Sequence, residues 1–285
     1  MNVLSIGPAA HHPFPFRQII DICVLGAIKE ARNQGFAVHV AVEAQGPSPP
    51  HPDTITDETI EQYTERVIKW AEICEDYGVE YFSPLNEADY ILHRDRAISW
   101  HAEVLPRIRG VYSGKVLARW SCYDKDDAED ISPITGGQIN EAEAYVYRVR
   151  ASEGFDGVML DFPILERWQL KYYFNASKEL EEGDPWRPSS LEEIVLATSQ
   201  AAGELGIPIY VGEIAVAGTD PISGLTKKLG MQSEEGMAAT EEEAAEYFEK
   251  SLDTIIPYYD GVVCTPWPGN RLPTQVIKEK FGELQ

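Results

Sequence analysis

Short apolar runs alternate with longer segments of helical periodicity along the chain. Seven of the runs are rich in β-branched residues and are apolar at both odd and even positions. This pattern is typical of strands that are covered on both faces. The predicted strands are residues 2–8, 36–44, 79–87, 115–121, 155–163, 207–216 and 261–267.

Helices are predicted between these strands, because apolar residues recur there at steps of three and four. Four joints between a helix and the next strand contain a glycine, which we expect to end the helix. These joints read NQGFAV, DYGVEY, SEGFDG and ELGIPI. The predicted helices include residues 17–34, 57–77, 191–205 and 241–255.

This alternation of strand and helix predicts an α/β fold with a parallel sheet wrapped by helices. The segments that follow the strands are longer than those that precede them, as in a TIM (β/α)8 barrel, where the loops after the strands build the active site. A doubly wound sheet is the alternative, but no G-x-G-x-x-G motif follows a strand. No internal repeat or linker interrupts the pattern, so we predict a single domain over residues 1–285.

The charge of the chain narrows the classes of partner. It has 24 Lys and Arg residues against 47 Asp and Glu residues, for a formal net charge of −23. Such a surface repels nucleic acid and anionic membranes, so neither is expected as a partner. Its simplest role is to keep the protein soluble.

No segment predicts a membrane helix or a signal peptide. No run reaches the ~18 apolar residues that a membrane helix requires, and the start, MNVLSIGPAAHHPF, lacks a basic region followed by a long apolar stretch. The chain is therefore expected in the cytoplasm unless an upstream segment carries a signal. The four cysteines lack the spacing of a zinc site.

Polar and aromatic residues collect where the predicted strands end, and in a barrel such positions face the shared pocket. Two of them, Glu87 and Glu213, are carboxylates that lie far apart in the sequence but could face each other across a barrel. The full set is Glu43, Asn86, Glu87, Trp120, Asp161, Glu213 and Trp267.

A pair of carboxyl groups suits the hydrolysis of a glycosidic bond. One protonates the leaving oxygen, and the other attacks the anomeric carbon when the two groups are about 5–5.5 Å apart. Asn86 can form a hydrogen bond with a sugar hydroxyl, and Trp267 can offer an apolar face to a sugar ring.

Three segments resemble parts of the clan A retaining glycoside hydrolases, a superfamily of TIM barrels. FSPLNEADY is similar to the segment that ends strand four with Asn-Glu, and IYVGEIAV is similar to strand seven, which carries a second Glu. The resemblance implies that Glu87 is the acid/base, that Asn86 supports it and that Glu213 is the nucleophile. CTPWPG resembles the strand-eight segment with a Trp at the floor of a subsite, which implies that role for Trp267.

The strand count differs from the family pattern by one. Glu87 ends the third predicted strand and Glu213 the sixth, whereas the family has them on strands four and seven. We therefore expect a barrel that lacks the first strand, shortened to about seven strand–helix units. The neighbours of a missing strand would have exposed edges, which favours a homodimer through this edge or a rearranged end.

Other residues near the strand ends have two interpretations each. Glu43 binds a substrate hydroxyl or pairs with Arg119, and Asp161 is a structural or subsite carboxylate. His11 and His12 follow the first strand and either line the cleft or belong to an ordinary loop. A fourth group, His93, Arg94 and His101, is expected on the surface of a helix, with contact to the substrate as the alternative. Trp120 ends its strand and is a candidate for a sugar subsite.

The favoured function is that of a retaining β-glycosidase that acts on a β-linked glycan or oligosaccharide and needs no metal or cofactor. Several aromatic residues and the long loops suggest an endo-acting enzyme similar to a mannanase or glucanase. A metal-dependent sugar isomerase is an alternative, in which Glu43, Glu87, Asp161 and Glu213 bind a divalent cation through oxygen. A second alternative is a barrel that binds carbohydrate without turnover, because a displacement of about 1 Å at a catalytic group can cost ~10²-fold in rate.

Overall fold

The computed structural model describes residues 3–11, 16–45, 55–121, 139–162, 186–187, 189–214, 241–264, 275–276 and 279. Eleven strands lie in this part of the chain. They are β1 (Val3–Ile6), β2 (Ala9–His11), β3 (Ala37–Ala41), β4 (Glu43–Gln45), β5 (Tyr81–Ser83), β6 (Lys115–Trp120), β7 (Ile139–Asn140), β8 (Gly157–Asp161), β9 (Trp186–Arg187), β10 (Ile209–Ile214) and β11 (Gly261–Cys264).

The main sheet contains seven parallel strands in the order β1-β3-β5-β6-β8-β10-β11. Each of the seven predicted strands is confirmed as one of them. Two further sheets are short two-stranded pairs, β2 with β4 and β7 with β9. Strand β2 comes soon after β1 along the chain, and β4 comes soon after β3. The parallel pair of β2 and β4 therefore extends the parallel pairing of β1 with β3.

Seven helices lie in the described residues, and the four predicted ones are confirmed to within one residue at each end. The glycines of the four shared joints all have positive φ angles, between 61° and 91°, which L-residues adopt only at a cost. The helices are α1 (Phe16–Asn33), α2 (Asp57–Asp76), α3 (Ala88–Leu92), α4 (Arg94–Arg109), α5 (Glu141–Arg150), α6 (Leu191–Leu205) and α7 (Glu241–Ile255).

Side chains at two helix starts explain why these helices begin where they do. Thr56 precedes α2, and its hydroxyl accepts a hydrogen bond from the Thr59 N–H at 3.2 Å. Ser190 precedes α6 and forms a capping box with Glu193, in which each side chain accepts a hydrogen bond from the backbone of the other residue. These bonds satisfy N–H groups that have no partner within the helix.

Contacts divide the chain into two compact units. The first unit comprises Met1–Ser121 with Ala151–Met159, and the second comprises Cys122–Arg150 with Leu160–Gln285. That residues 1–285 form a single domain stays a prediction.

Both units have an apolar core of their own. In the first unit, Val38 and Val40 of β3 and Trp70 of α2 are completely buried, and in the second, Val211 of β10 and Ile194 of α6 are. Complete burial of a side chain of this kind stabilises the folded state by roughly 1.5–3 kcal/mol.

Strand β1 is the first strand in the order of the main sheet, and its residues Val3 and Leu4 are exposed. Its partner is β3, with Ser5 opposite His39 in the register. No helix among the described residues is long and apolar enough to span a membrane.

Candidate active site

Glu87 lies beyond the end of its strand, in a turn. Strand β5 ends at Ser83, and the next residue is Pro84, which cannot donate a backbone hydrogen bond to a neighbouring strand. The expectation that the strand runs to Glu87 was therefore wrong by four residues. Glu87 immediately precedes α3 and has a left-handed backbone, with φ 49° and ψ 54°.

This conformation is unfavourable for a glutamate. The left-handed region costs a residue with a Cβ atom roughly 1–2 kcal/mol, and such strained positions concentrate at functional sites. Glu87 is half-buried, so its carboxyl group is neither in the core nor fully in solvent. The backbone is thus held in a costly conformation at the residue that was predicted to be the acid/base.

Asn86 connects this turn to the end of β3. Its backbone N–H donates to the Val42 carbonyl at 2.8 Å, and its side-chain Nδ2 donates to Oε2 of Glu43 at 3.0 Å. Glu43 begins β4, and its own N–H donates to the Pro8 carbonyl at 2.8 Å. The structure therefore gives Glu43 a partner, Asn86, that the sequence did not suggest.

Three polar side chains on neighbouring strands of the first unit, Ser5, His39 and Ser83, are linked by hydrogen bonds, and the last two are buried. The ring of His39 forms hydrogen bonds with Ser5 Oγ at 3.0 Å through Nδ1 and with Ser83 Oγ at 2.9 Å through Nε2. Burial, with a smaller contribution from the positive charge of Arg119, lowers the pKa of His39 to about 3. His39 is therefore neutral near pH 7, as expected for a histidine with partners inside a barrel.

Trp120 is part of the core and does not present its ring to a cleft. It is completely buried, and its indole N–H donates to Ser152 Oγ at 2.8 Å. Its ring also packs edge-on against His101, with 4.9 Å between the ring centroids. The proposed subsite role of Trp120 is therefore corrected. Val116, Ala118 and Trp120 share one face of β6, and Leu117 and Arg119 share the other, and all five are buried. Because both faces are covered, the sequence did not reveal which of them meets the helices.

His101 and Arg94 are also buried, although both were expected on a helix surface. The two ring nitrogens of His101 have no hydrogen-bond partner among the described residues. Burial lowers the pKa of His101 to about 4, against the opposing effect of the Asp89 carboxylate. His101 is thus a neutral core residue, packed against Trp120 and Phe155.

Glu213 belongs to the second unit and is the next-to-last residue of β10. The register of β10 against β11 shifts between Val211 and Ile214, where β10 has one residue more than its partner strand. A β-bulge of this kind redirects side chains and is frequent beside active sites. The Glu213 carbonyl accepts a hydrogen bond from the Phe162 N–H at 2.9 Å, which anchors the half-buried glutamate to the end of β8.

Asp161, the last residue of β8, is buried next to a group of aromatic side chains. The Tyr145 hydroxyl donates to the Asp161 carbonyl at 3.4 Å. The ring of Tyr145 packs against Phe162, which in turn packs against Tyr259, with centroid distances of 5.8 and 6.5 Å. These contacts hold the strand end rigidly, and the role of Asp161 stays a prediction.

Three predicted site residues lie wholly or partly outside the description. Trp267 and His12 lie outside the described residues, and of His11 only the backbone is described, where it pairs with Gln45 in the small sheet. Among the residues that are described, no group of three or more His, Cys, Asp and Glu side chains is arranged to hold a metal ion.

The chain has the fold of glycoside hydrolases of known structure. It is similar to a family 113 β-1,4-mannanase, with a TM-score of 0.59 and 12% identity over 98% of this chain and 87% of the other. A family 5 mannosidase from Rhizomucor miehei has a TM-score of 0.59 and 11% identity over 100% of this chain and 84% of the other. A family 113 β-mannanase from Alicyclobacillus acidocaldarius has a TM-score of 0.54 and 12% identity over 97% and 77%.

Neither a protein-family model nor a curated protein matches the sequence. At this level of identity the structural likeness establishes the fold. The fold is of the TIM (β/α)8-barrel type, and the described residues contribute seven strands to the main sheet, as the strand count had predicted.

Proposed function

We propose that the protein is a retaining β-glycoside hydrolase, with Glu213 as the nucleophile and Glu87 as the acid/base. One observation carries the proposal: in a glycoside hydrolase fold, both glutamates lie at or beyond the carboxyl end of a parallel strand, where the regular backbone is interrupted. The interruption is a left-handed residue at Glu87 and a β-bulge at Glu213. In barrels of this type, catalytic residues come from the carboxyl ends of several strands.

The reaction proceeds in two displacements. The Glu213 carboxylate attacks the anomeric carbon while the Glu87 carboxylic acid protonates the departing oxygen, which breaks the glycosidic bond and forms a glycosyl ester. Glu87, now a carboxylate, removes a proton from water, and the water oxygen attacks the anomeric carbon and releases Glu213. The anomeric configuration of the sugar is retained because it is inverted twice.

A neutral β-linked glycan is the proposed substrate, and β-1,4-mannan is the first polymer to try. The two family 113 structures named above are β-mannanases. The formal net charge of −23 disfavours polymers rich in uronic acids through repulsion. We propose endo-acting cleavage together with this mannan substrate. Release of a mixture of short oligosaccharides from β-1,4-mannan would support both.

Hydrolysis of a panel of β-glycans and aryl β-glycosides tests the proposal. The wild type, Glu87→Gln and Glu213→Gln are compared with and without EDTA, and Glu242→Gln, an exposed residue of α7, is the matched control. We expect turnover by the wild type and by the control, loss in both site variants and no effect of EDTA.

Three results would count against the proposal. Sensitivity to EDTA would favour the metal-dependent isomerase, and binding of oligosaccharides by a folded wild type without turnover would favour the carbohydrate-binding protein. Formation of the inverted anomer early in the reaction, observed by proton NMR, would exclude the double displacement.

A further inference from the structure

The contact between Glu43 and Asn86 determines the direction of the Asn86 amide. An ionised carboxylate only accepts hydrogen bonds, so the end of the amide that faces Glu43 has to be the NH₂ group. The bond from Nδ2 to Oε2 of Glu43 is 3.0 Å long. The amide oxygen, Oδ1, must therefore point away from Glu43.

This oxygen is buried and has no hydrogen-bond partner among the described residues. Most buried acceptors in proteins do have a partner, and an exception calls for a specific cause such as a catalytic role or a bound water. The rest of Asn86 is well held, since its backbone N–H donates to Val42 and its NH₂ group to Glu43. The unpartnered side-chain oxygen of this residue is thus an acceptor in a fixed direction.

Gly7 provides the space that Glu43 occupies. A Cβ atom at position 7 would lie 2.8 Å from both Cγ and Oε1 of Glu43, which is closer than non-bonded atoms approach. Gly7 has no need of positive φ, because the left-handed glycines are elsewhere in the chain. Its lack of a side chain therefore matters here for the close approach of Glu43.

We propose that Glu43, admitted by Gly7, is a positioning residue that holds the Asn86 amide so that Oδ1 accepts a hydrogen bond from a hydroxyl of the bound sugar. This proposal rests on the proposed function and adds a residue to it. Because Oδ1 is shielded from water in the free protein, the sugar must uncover it on binding. Glu43 itself acts through Asn86 and not on the substrate.

The substitution Glu43→Gln tests the direction of the amide with little change in shape. A glutamine can present either its oxygen or its NH₂ group, so Asn86 is free to turn over. We expect kcat on a β-glycan to fall about tenfold and KM to change less than about twofold, because a misdirected acceptor weakens the transition state more than the ground state.

A double-mutant cycle separates positioning from a merely structural role. In the Asn86→Ala background, Glu43→Gln should lower kcat less than about twofold, because its effect is transmitted through Asn86. Gly7→Ala, which keeps the carboxylate of Glu43 but displaces it, should reproduce the loss of Glu43→Gln. Gly26→Ala is the matched control, since nothing lies within 4 Å of the added Cβ atom. Independent, additive losses from Glu43→Gln and Asn86→Ala would overturn the proposal.

The side-chain NH₂ signals of Asn86, assigned in an NMR spectrum by their absence from Asn86→Ala, provide a readout that does not need turnover. We expect these signals to shift in Glu43→Gln and Gly7→Ala and to stay in place in Gly26→Ala. If the wild type hydrolyses no glycan, the proposed function fails, and the NMR signals still decide whether Glu43 holds the amide. Unchanged Asn86 signals in Glu43→Gln would overturn the positioning role even in an active enzyme.

Discussion

Acidic residues at the two ends of the strands have different surroundings. At the amino end, three carboxylates directly precede a strand and accept a hydrogen bond from a backbone N–H at the start of a neighbouring strand. These bonds join Glu80 to Val38 at 2.9 Å, Asp156 to Val116 at 2.7 Å and Asp260 to Ile209 at 2.9 Å.

At the carboxyl end, two acids occupy interrupted backbone. Glu87 lies in a left-handed turn and Glu213 lies at a β-bulge, whereas Glu43 accepts a hydrogen bond from the Asn86 amide. The same residue type thus satisfies backbone donors at one end of the sheet and occupies less regular backbone at the other. In TIM barrels the first end is associated with stability and the second with catalysis.

The largest expected effect is on activity at the carboxyl end. Removal of the nucleophile by Glu213→Gln should lower kcat on the order of 10⁴-fold or more, and Glu87→Gln should lower it by about 10²–10⁴-fold. The loss in Glu87→Gln should be much smaller for an aryl glycoside whose leaving group needs no proton. Steady-state kinetics with both kinds of substrate measure this difference, and equal losses on both would contradict the assignment of Glu87 as the acid.

At the amino end the expected effect is on stability. Asp156→Ala removes the acceptor of the Val116 N–H and one partner of Arg109, so the free energy of unfolding should fall by about 2 kcal/mol. Asp156→Asn keeps an acceptor oxygen and should cost less. Urea denaturation measures both, and kcat/KM of the folded protein should stay unchanged. A large loss of kcat/KM in Asp156→Ala would contradict the claim that acids at the amino end contribute to stability and not to catalysis.

His39 lies between the ends and should make stability depend on pH. Its pKa is lowered to about 3 in the folded protein from the ordinary value of 6.5, so between these values the unfolded chain binds one more proton than the folded one. Stability should therefore fall as the pH falls from 6.5 towards 3, by about 1.4 kcal/mol per pH unit from this residue. His39→Gln should remove that part of the slope in urea denaturation series, and an unchanged slope would show that acids elsewhere cause the loss.

The smallest expected effect concerns the backbone of Glu87. Glycine adopts the left-handed conformation without the cost that a Cβ atom imposes, so Glu87→Gly should be more stable than Glu87→Ala by about 1 kcal/mol. Both variants lack the carboxyl group and should be inactive, which makes alanine the matched control. Equal stabilities in urea denaturation would mean that the turn relaxes when the glutamate is removed.

Much of the fold could be predicted from the sequence because buried parallel strands and amphipathic helices leave different patterns. The glycines at the helix ends, such as Gly35 and Gly206, also have a local cause in the left-handed backbone. The last of the predicted strands, residues 261–267, corresponds to β11, which covers only Gly261–Cys264.

The candidate site could be predicted only in part. Asn86 and Glu87 were identified from a short motif, but the turn that contains them depends on Pro84 and on bonds to the end of β3. The contact from Glu43 to Asn86 spans 43 residues of sequence and leaves no periodic signal. The burial of Trp120 was missed for a related reason, because both faces of β6 are buried and the sequence does not show which of them meets the helices.

The most direct measurement is covalent trapping of the glycosyl-enzyme. The wild type is incubated with a 2-deoxy-2-fluoro β-glycoside that has a good leaving group, which forms the ester faster than water can hydrolyse it, and its peptides are analysed by mass spectrometry. The two-glutamate mechanism predicts one sugar per chain on the peptide that contains Glu213, and no label in Glu213→Gln. A label on another residue, or no label in a protein that turns over β-glycans, would contradict it.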